Sequence, residues 1–283
     1  MRIAVIGLGL IGGSLCKAFQ KYTQHTVLGL DTDEATMDAA LAEGAVDERL
    51  TPDRLDEADV SFICLYPEAT VHFIQKHAAE FKKGSMVCDV CGIKSAVALA
   101  ADEAFSGTGV HFVPCHPMAG REVSGFSGAQ AQLWQNASVI ITPTDKTCPE
   151  AVKAAGELAL SIGFGQVVTA TPQEHDRVIA YTSQLAHVVS SAYVKSPSIE
   201  NECGFSAGSF QDMTRIATIN EEMWSSLFLL NRDPLLFEVK NLIGHLQQYE
   251  QALEQGDRER LIALLADGSR IKRENLKKEA AKK

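Results

Sequence analysis

The chain has 283 residues, 46% hydrophobic and 22% charged, with a formal net charge of −10. This is the composition of an ordinary globular protein, long enough for one large core or two domains. The negative charge argues against nucleic acid or another polyanion held by general electrostatics, and no apolar run approaches the ~20 residues of a membrane helix.

The first predicted element is a strand, Arg2-Ile3-Ala4-Val5-Ile6. Gly7-Leu8-Gly9-Leu10-Ile11-Gly12 follows at once, and Ser14-Leu15-Cys16-Lys17-Ala18-Phe19 reads as a helix. This is G-x-G-x-x-G in its required setting of strand, turn and helix. Gly7 permits the tight turn, Gly9 lets a pyrophosphate approach the backbone, and Gly12 lets helix and strand pack closely. A second apolar run, Thr26-Val27-Leu28-Gly29-Leu30, ends in Asp31, where a carboxylate can accept hydrogen bonds from a ribose 2′-OH. A turn serving only close packing leaves Asp31 unexplained. Asp31-Thr32-Asp33 brings two carboxylates and no neighbouring cation to receive a 2′-phosphate, so NAD is expected rather than NADP. A strand beginning at residue 2 leaves no room for a signal or transit peptide, and an odd count of seven cysteines suits reduced thiols. A cytoplasmic protein is expected.

Short apolar runs recur at 60–66, 85–90, 110–115, 138–142 and 166–170, with helical stretches near 34–43, 69–81, 94–105 and 149–162. Alternation of this kind implies βαβ units and a mostly parallel sheet, an α/β Rossmann-type domain over 1–170. Ligands of such sheets lie outside the carboxyl ends of the strands. Cys88-Asp89-Val90-Cys91 has C-x-x-C spacing, but Cys88 lies in a β-run and Cys115-His116 downstream does not repeat the spacing, so no metal site is expected.

Thr171-Pro172-Gln173-Glu174 is a capping box with proline at the first helical position. One long helix should follow to about Lys195, where Ser196-Pro197 stops it. No convincing strand lies beyond it, so 171–283 reads as an all-helical second domain. Its apolar central helix cannot cover its own faces, which predicts a homodimer through this half. The last fourteen residues, from Arg270, carry seven Lys or Arg against two Glu, the pattern of a solvated helix end.

Two constellations carry candidate chemistry. His116 ends the strand-like run 110–115 and opens the loop Pro117-Met118-Ala119-Gly120-Arg121-Glu122-Val123-Ser124-Gly125. An imidazole there can take a proton from a hydroxyl while hydride leaves the same carbon, or it can merely cap a loop. Asp212 and Arg215 are three apart and share a helix face, where Arg215 can grip a carboxylate while Asp212 fixes it. The same spacing also suits an exposed ion pair of little consequence.

Taken together, the order and spacing of these motifs resemble the prephenate/arogenate dehydrogenase family of tyrosine biosynthesis, in a form without a fused mutase or regulatory domain. The resemblance rests on the glycine turn, Asp89-Val90-Cys91-Gly92-Ile93-Lys94, His116-Pro117-Met118-Ala119-Gly120 with Glu122 and Ser124-Gly125, Glu174-His175-Asp176, Ser183-Gln184-Leu185-Ala186-His187, and Asp212-Met213-Thr214-Arg215-Ile216-Ala217 with Trp224. It implies NAD-dependent oxidative decarboxylation of prephenate to 4-hydroxyphenylpyruvate, or of arogenate to tyrosine. It also implies His116 as the catalytic histidine and Arg215 as the carboxylate-binding arginine. Gln184 and His187 then line the substrate pocket, His175 lies near its mouth, and the helical half forms the dimer. Gly92 falls among the cofactor-binding residues but departs from the family. Many members have serine there, and Ser124, Ser95 or water would have to replace that hydroxyl. The rival readings are a β-hydroxyacid-type dehydrogenase, with Lys195 or Lys240 as catalyst, and a non-catalytic NAD sensor. Neither has a supporting motif.

Overall fold

The computed structural model describes residues 1–121 and 123–281. Strand and helix alternate through the first half: β1 (Arg2–Ile6), α1 (Leu10–Tyr22), β2 (Thr26–Leu30), α2 (Glu34–Ala42), β3 (Glu48–Arg49), β4 (Val60–Ile63), α3 (Pro67–His77), β5 (Met86–Asp89), α4 (Ser95–Ala104), β6 (His111–Pro117), β7 (Ser138–Ile141), α5 (Pro149–Ser161) and β8 (Gln166–Thr169). One sheet runs in the order β3-β2-β1-β4-β5-β6-β7-β8. The chain leaves β1 first to one side and then to the other, so the sheet's topological switch lies between β1 and β4.

Both faces of the sheet are covered, and the period-two rule of a strand shows directly. In β1, Ile3 and Val5 join one apolar cluster, with Leu15, Phe19 and Trp134, while Ala4 and Ile6 join the other, with Ile74 and Phe81.

The parallel pattern breaks once. β6 runs two residues beyond the expected 110–115 because Cys115, His116 and Pro117 pair antiparallel with Ile141, Ile140 and Val139 of β7. His116 is therefore the penultimate residue of a strand, and its backbone is held on a sheet rather than in a loop.

From 171 onward the described residues form no strand. The expected single helix is two, α6 (Pro172–Ile179) and α7 (Leu185–Tyr193), joined by a π-helical turn, Ala180–Gln184. Leu185 donates its amide to Ala180 O, five residues back. Thr171 accepts the Glu174 amide at 3.1 Å, as the capping box requires. α8 (Gly208–Thr214), α9 (Glu221–Leu230), α10 (Arg232–Glu254) and α11 (Arg258–Ala280) follow. By packing, the chain divides into a unit of residues 1–232, which holds the sheet and α1–α9, and a unit of residues 233–283, built of α10 and α11. Among the described residues no helix is long and apolar enough to cross a membrane.

Candidate active site

The glycine loop crosses the switch point at the carboxyl end of β1. Gly7 adopts φ +89°, and a Cβ there would meet Cys64 O at 2.7 Å; a Cβ on Gly12 would lie 1.8 Å from Gly7 O. Packing alone accounts for both. A Cβ on Gly9 would meet nothing within 4 Å, so packing leaves its backbone open to a ligand. Gly9 precedes α1, which has no side-chain cap, and Leu10 and Ile11 open its first turn. The free amides and dipole of that turn suit a pyrophosphate.

Asp31 follows β2 beside this loop. Its Oδ2 accepts from the Leu8 amide at 2.6 Å and its Oδ1 from the Asp33 amide at 2.9 Å. Each oxygen keeps a lone pair for a ribose hydroxyl. The fold also brings a cation alongside β2 that local sequence does not show. Arg49 pairs with Gly29 across the sheet, but Glu34 at 2.5 Å and Asp38 already bind its guanidinium. The residues present fit a dinucleotide with a free 2′-hydroxyl.

The second site begins at His116. Its Nδ1 lies 2.8 Å from Nε2 of His175, whose Nδ1 lies 2.8 Å from Oδ1 of Asp176. The Asp176 carboxylate also accepts the Lys94 amide at 2.7 Å and the Ser95 amide at 2.8 Å, at the start of α4. Burial opposes its charge, yet these hydrogen bonds from His175, Ser95 and Lys94 prevail and hold its carboxyl below the usual range. Ionised, it can only accept. His175 must then donate from Nδ1, its Nε2 accepts from His116, and His116 is left with a lone pair on Nε2. That nitrogen lies 3.8 Å from where a Cβ on Gly92 would stand. Burial first, then His175 and Lys94, push the His116 imidazole well below its ordinary titration range, with Asp176 acting the other way.

Residues of the helical half close around this point. Leu227 of α9 reaches within 3.8 Å of the same Gly92 position. Gln184 donates to Leu227 O at 3.2 Å, and Asn231 Nδ2 donates to both Gln184 Oε1, at 2.7 Å, and Asp176 O, at 2.8 Å. One turn before Leu227, Trp224 packs on His187 with ring centroids 3.8 Å apart, and His187 Nδ1 donates to Ile216 O at 3.1 Å. The structure thus brings His116, His175, Gly92 and Gln184 together, His175 and Gln184 buried and His116 and Gly92 half-buried, with His187 and Trp224 beside them. Ser124, Asp212 and Arg215 are exposed, and Glu122 lies outside the described residues. Asp176 was named only within a motif and given no role, and Asn231 and Leu227 were not singled out from the sequence. Their contacts span 43 to 82 residues of chain, and no local pattern signals them. Among the described residues no cluster of His, Cys, Asp or Glu could hold a metal ion.

A bare nucleotide loop and a histidine held neutral at the carboxyl ends of one sheet suit a dinucleotide-dependent dehydrogenase. Two family models match the chain, the nucleotide-binding domain of prephenate dehydrogenase over residues 15–169 and its dimerization domain over 171–267. The chain belongs to the prephenate dehydrogenase family. A prephenate dehydrogenase of Bacillus subtilis is 31% identical over 92% of this chain and 72% of that protein. The structure of Synechocystis arogenate dehydrogenase superposes with a TM-score of 0.80 at 28% identity, covering 96% of this chain and 99% of that one. A prephenate dehydrogenase from Aquifex aeolicus, solved with hydroxyphenyl propionate and NAD+, matches in fold with a TM-score of 0.87 at 24% identity over 98% of both chains.

Proposed function

We propose that the protein oxidises prephenate to 4-hydroxyphenylpyruvate and carbon dioxide, with residues 1–170 binding NAD and 171–283 supplying the substrate-facing helices. Bound NAD supplies the acceptor for the hydride that leaves the ring carbon. His116 Nε2 takes the proton of the ring hydroxyl as that carbon becomes a carbonyl, and loss of the ring carboxylate completes aromatisation. The observation that carries this reading is the relay from Asp176 through His175, which leaves the base atom of His116 unprotonated beside Gly92. The positive charge that His116 gains is shared toward Asp176, as in other carboxylate-oriented histidines. Arg215 binds a substrate carboxylate, supported by Asp212 and Glu122, and Gln184, His187, Ser124 and Trp224 shape the pocket. The glycine loop from Gly7 to Gly12 and Asp31 hold the pyrophosphate and ribose, and Gly92 borders the nicotinamide.

Arogenate is the second substrate reading, favoured by the likeness to the Synechocystis enzyme. The two substrates differ in a side-chain keto or amino group. Following NADH absorbance with prephenate and then arogenate tests both, and no turnover of either overturns the reading. We further propose a homodimer through the helical half and a reducing, cytoplasmic setting, consistent with seven free cysteines.

A further inference from the structure

Among the described residues Lys94 is the only buried lysine or arginine, with its side chain fully enclosed. Its ammonium donates to Asp89 Oδ2 and, at 2.6 Å, to Cys115 O. Asp89 in turn accepts the amides of Cys91, at 2.9 Å, and Cys115, at 3.3 Å. The pair therefore holds both the N–H and the carbonyl of Cys115, the residue before His116. It also fixes Cys91, the residue before Gly92. Through its own amide Lys94 is bound to Asp176 at 2.7 Å. One residue thus ties together the strand end that carries the base, the turn beside the base and the carboxylate that orients it.

Stability does not explain such a pair. Replacing a buried ion pair by apolar groups of similar volume is often neutral or stabilising. We propose that Lys94 is a positioning residue for the reaction: paired with Asp89, it sets the place of His116 and opposes a positive charge on its imidazole. The groups that bear on His116 come from three elements. His175 and Asp176 face it from α6, Lys94 lies at the start of α4, and Asp89 ends β5 and acts through Lys94. His175 and Lys94 disfavour the imidazolium, and Asp176 favours it.

The proposal rests on His116 being the base, so His116→Asn is measured alongside. In the double variant Asp89→Asn/Lys94→Met, NAD binding by fluorescence titration should be unchanged. The value of kcat should fall ~10²-fold, the cost of misplacing a reacting group by about an ångström. The acid limb of the kcat/KM profile should move up toward the ordinary range of histidine. A brace without electrostatic effect would not move that limb, so a NAD-binding double variant with an unmoved limb overturns the proposal. If the double variant fails to bind NAD, Lys94→Gln decides on the same readout, because it keeps a donor of similar reach without the charge. Full turnover in His116→Asn overturns the base itself. Loss of turnover in His116→Asn, with an unmoved limb in the Lys94 variants, overturns only the role of Lys94.

Discussion

Because Asp176 can only accept, it dictates where every proton along the relay sits. Asparagine in its place can turn an N–H toward His175, reverse both imidazoles and leave His116 protonated on the wrong nitrogen. Asp176→Asn and His116→Asn should each lower kcat by ~10²–10⁴ with NAD affinity intact. Steady-state rates and a fluorescence titration check both, and near-normal turnover in either variant argues against the relay. The depressed titration of His116 also fixes the sign of a pH effect. His116 stays neutral below its ordinary value of 6.5, so with His116 as the proposed base kcat/KM should hold through that pH and fall only further into acid. Stability follows the same group. As pH drops below 6.5 the unfolded chain takes up a proton that the folded chain refuses, so stability declines toward the lower folded value. The place of His116 at a strand end was legible in the sequence, while its proposed role came only from the family resemblance. Lys94 and Asp176 were visible as letters only, since their meaning depends on partners 82 residues apart.

The π-turn between α6 and α7 does at the scale of an element what Lys94 does at that of a residue. In an uninterrupted α-helix, eight residues leave Asp176 and Gln184 about 80° out of phase. A π-turn absorbs about one extra residue and brings them within about 20°. The bridge from Asn231 to both residues records that alignment. Thr182, exposed on the outside of the turn, donates its hydroxyl to Val178 O at 2.9 Å, the carbonyl its own amide would take in an α-helix. Deleting Thr182 would restore the α-helix and keep this phase, whereas inserting one alanine after Thr182 should rotate Gln184 and His187 by about 100°. In the insertion variant the KM for prephenate should rise at least ~10-fold with NAD binding retained, because the nucleotide loop is untouched. Kinetics and NAD titration check this, and an unchanged KM means that the turn has no part in substrate binding. The helix was readable from its capping box, but the extra residue within it has no signature in composition or period. The antiparallel β7 was hidden for a similar reason: a four-residue strand has one pattern in either direction.

For the whole molecule, the alternation of strands and helices foretold a mostly parallel sheet covered on both faces, and the two apolar clusters supply its covers. Apolar surface remains at the helical end of the chain. Phe205 is 91% exposed and Leu229 71%, while Leu253 of α10 is 66% exposed. Large apolar side chains left open on a chain whose matching family domain is named for dimerization predict a partner. Light scattering at micromolar concentration should give twice the 30.6 kDa of the chain, and a monomer there would exclude the homodimer.

The hydrogen bond from the Leu8 amide to Asp31 bears on any attempt to change the cofactor. The usual redesign removes the carboxylate to admit a 2′-phosphate. Here that step also releases the phosphate loop from its anchor, and Arg49 is already committed to Glu34 and Asp38. Asp31→Ala should therefore weaken NAD without strengthening NADP, as calorimetry with each would report. A successful switch needs an acceptor kept at position 31 and a new cation brought in, so the nucleotide preference of this enzyme is written into the shape of its loop as well as its charge.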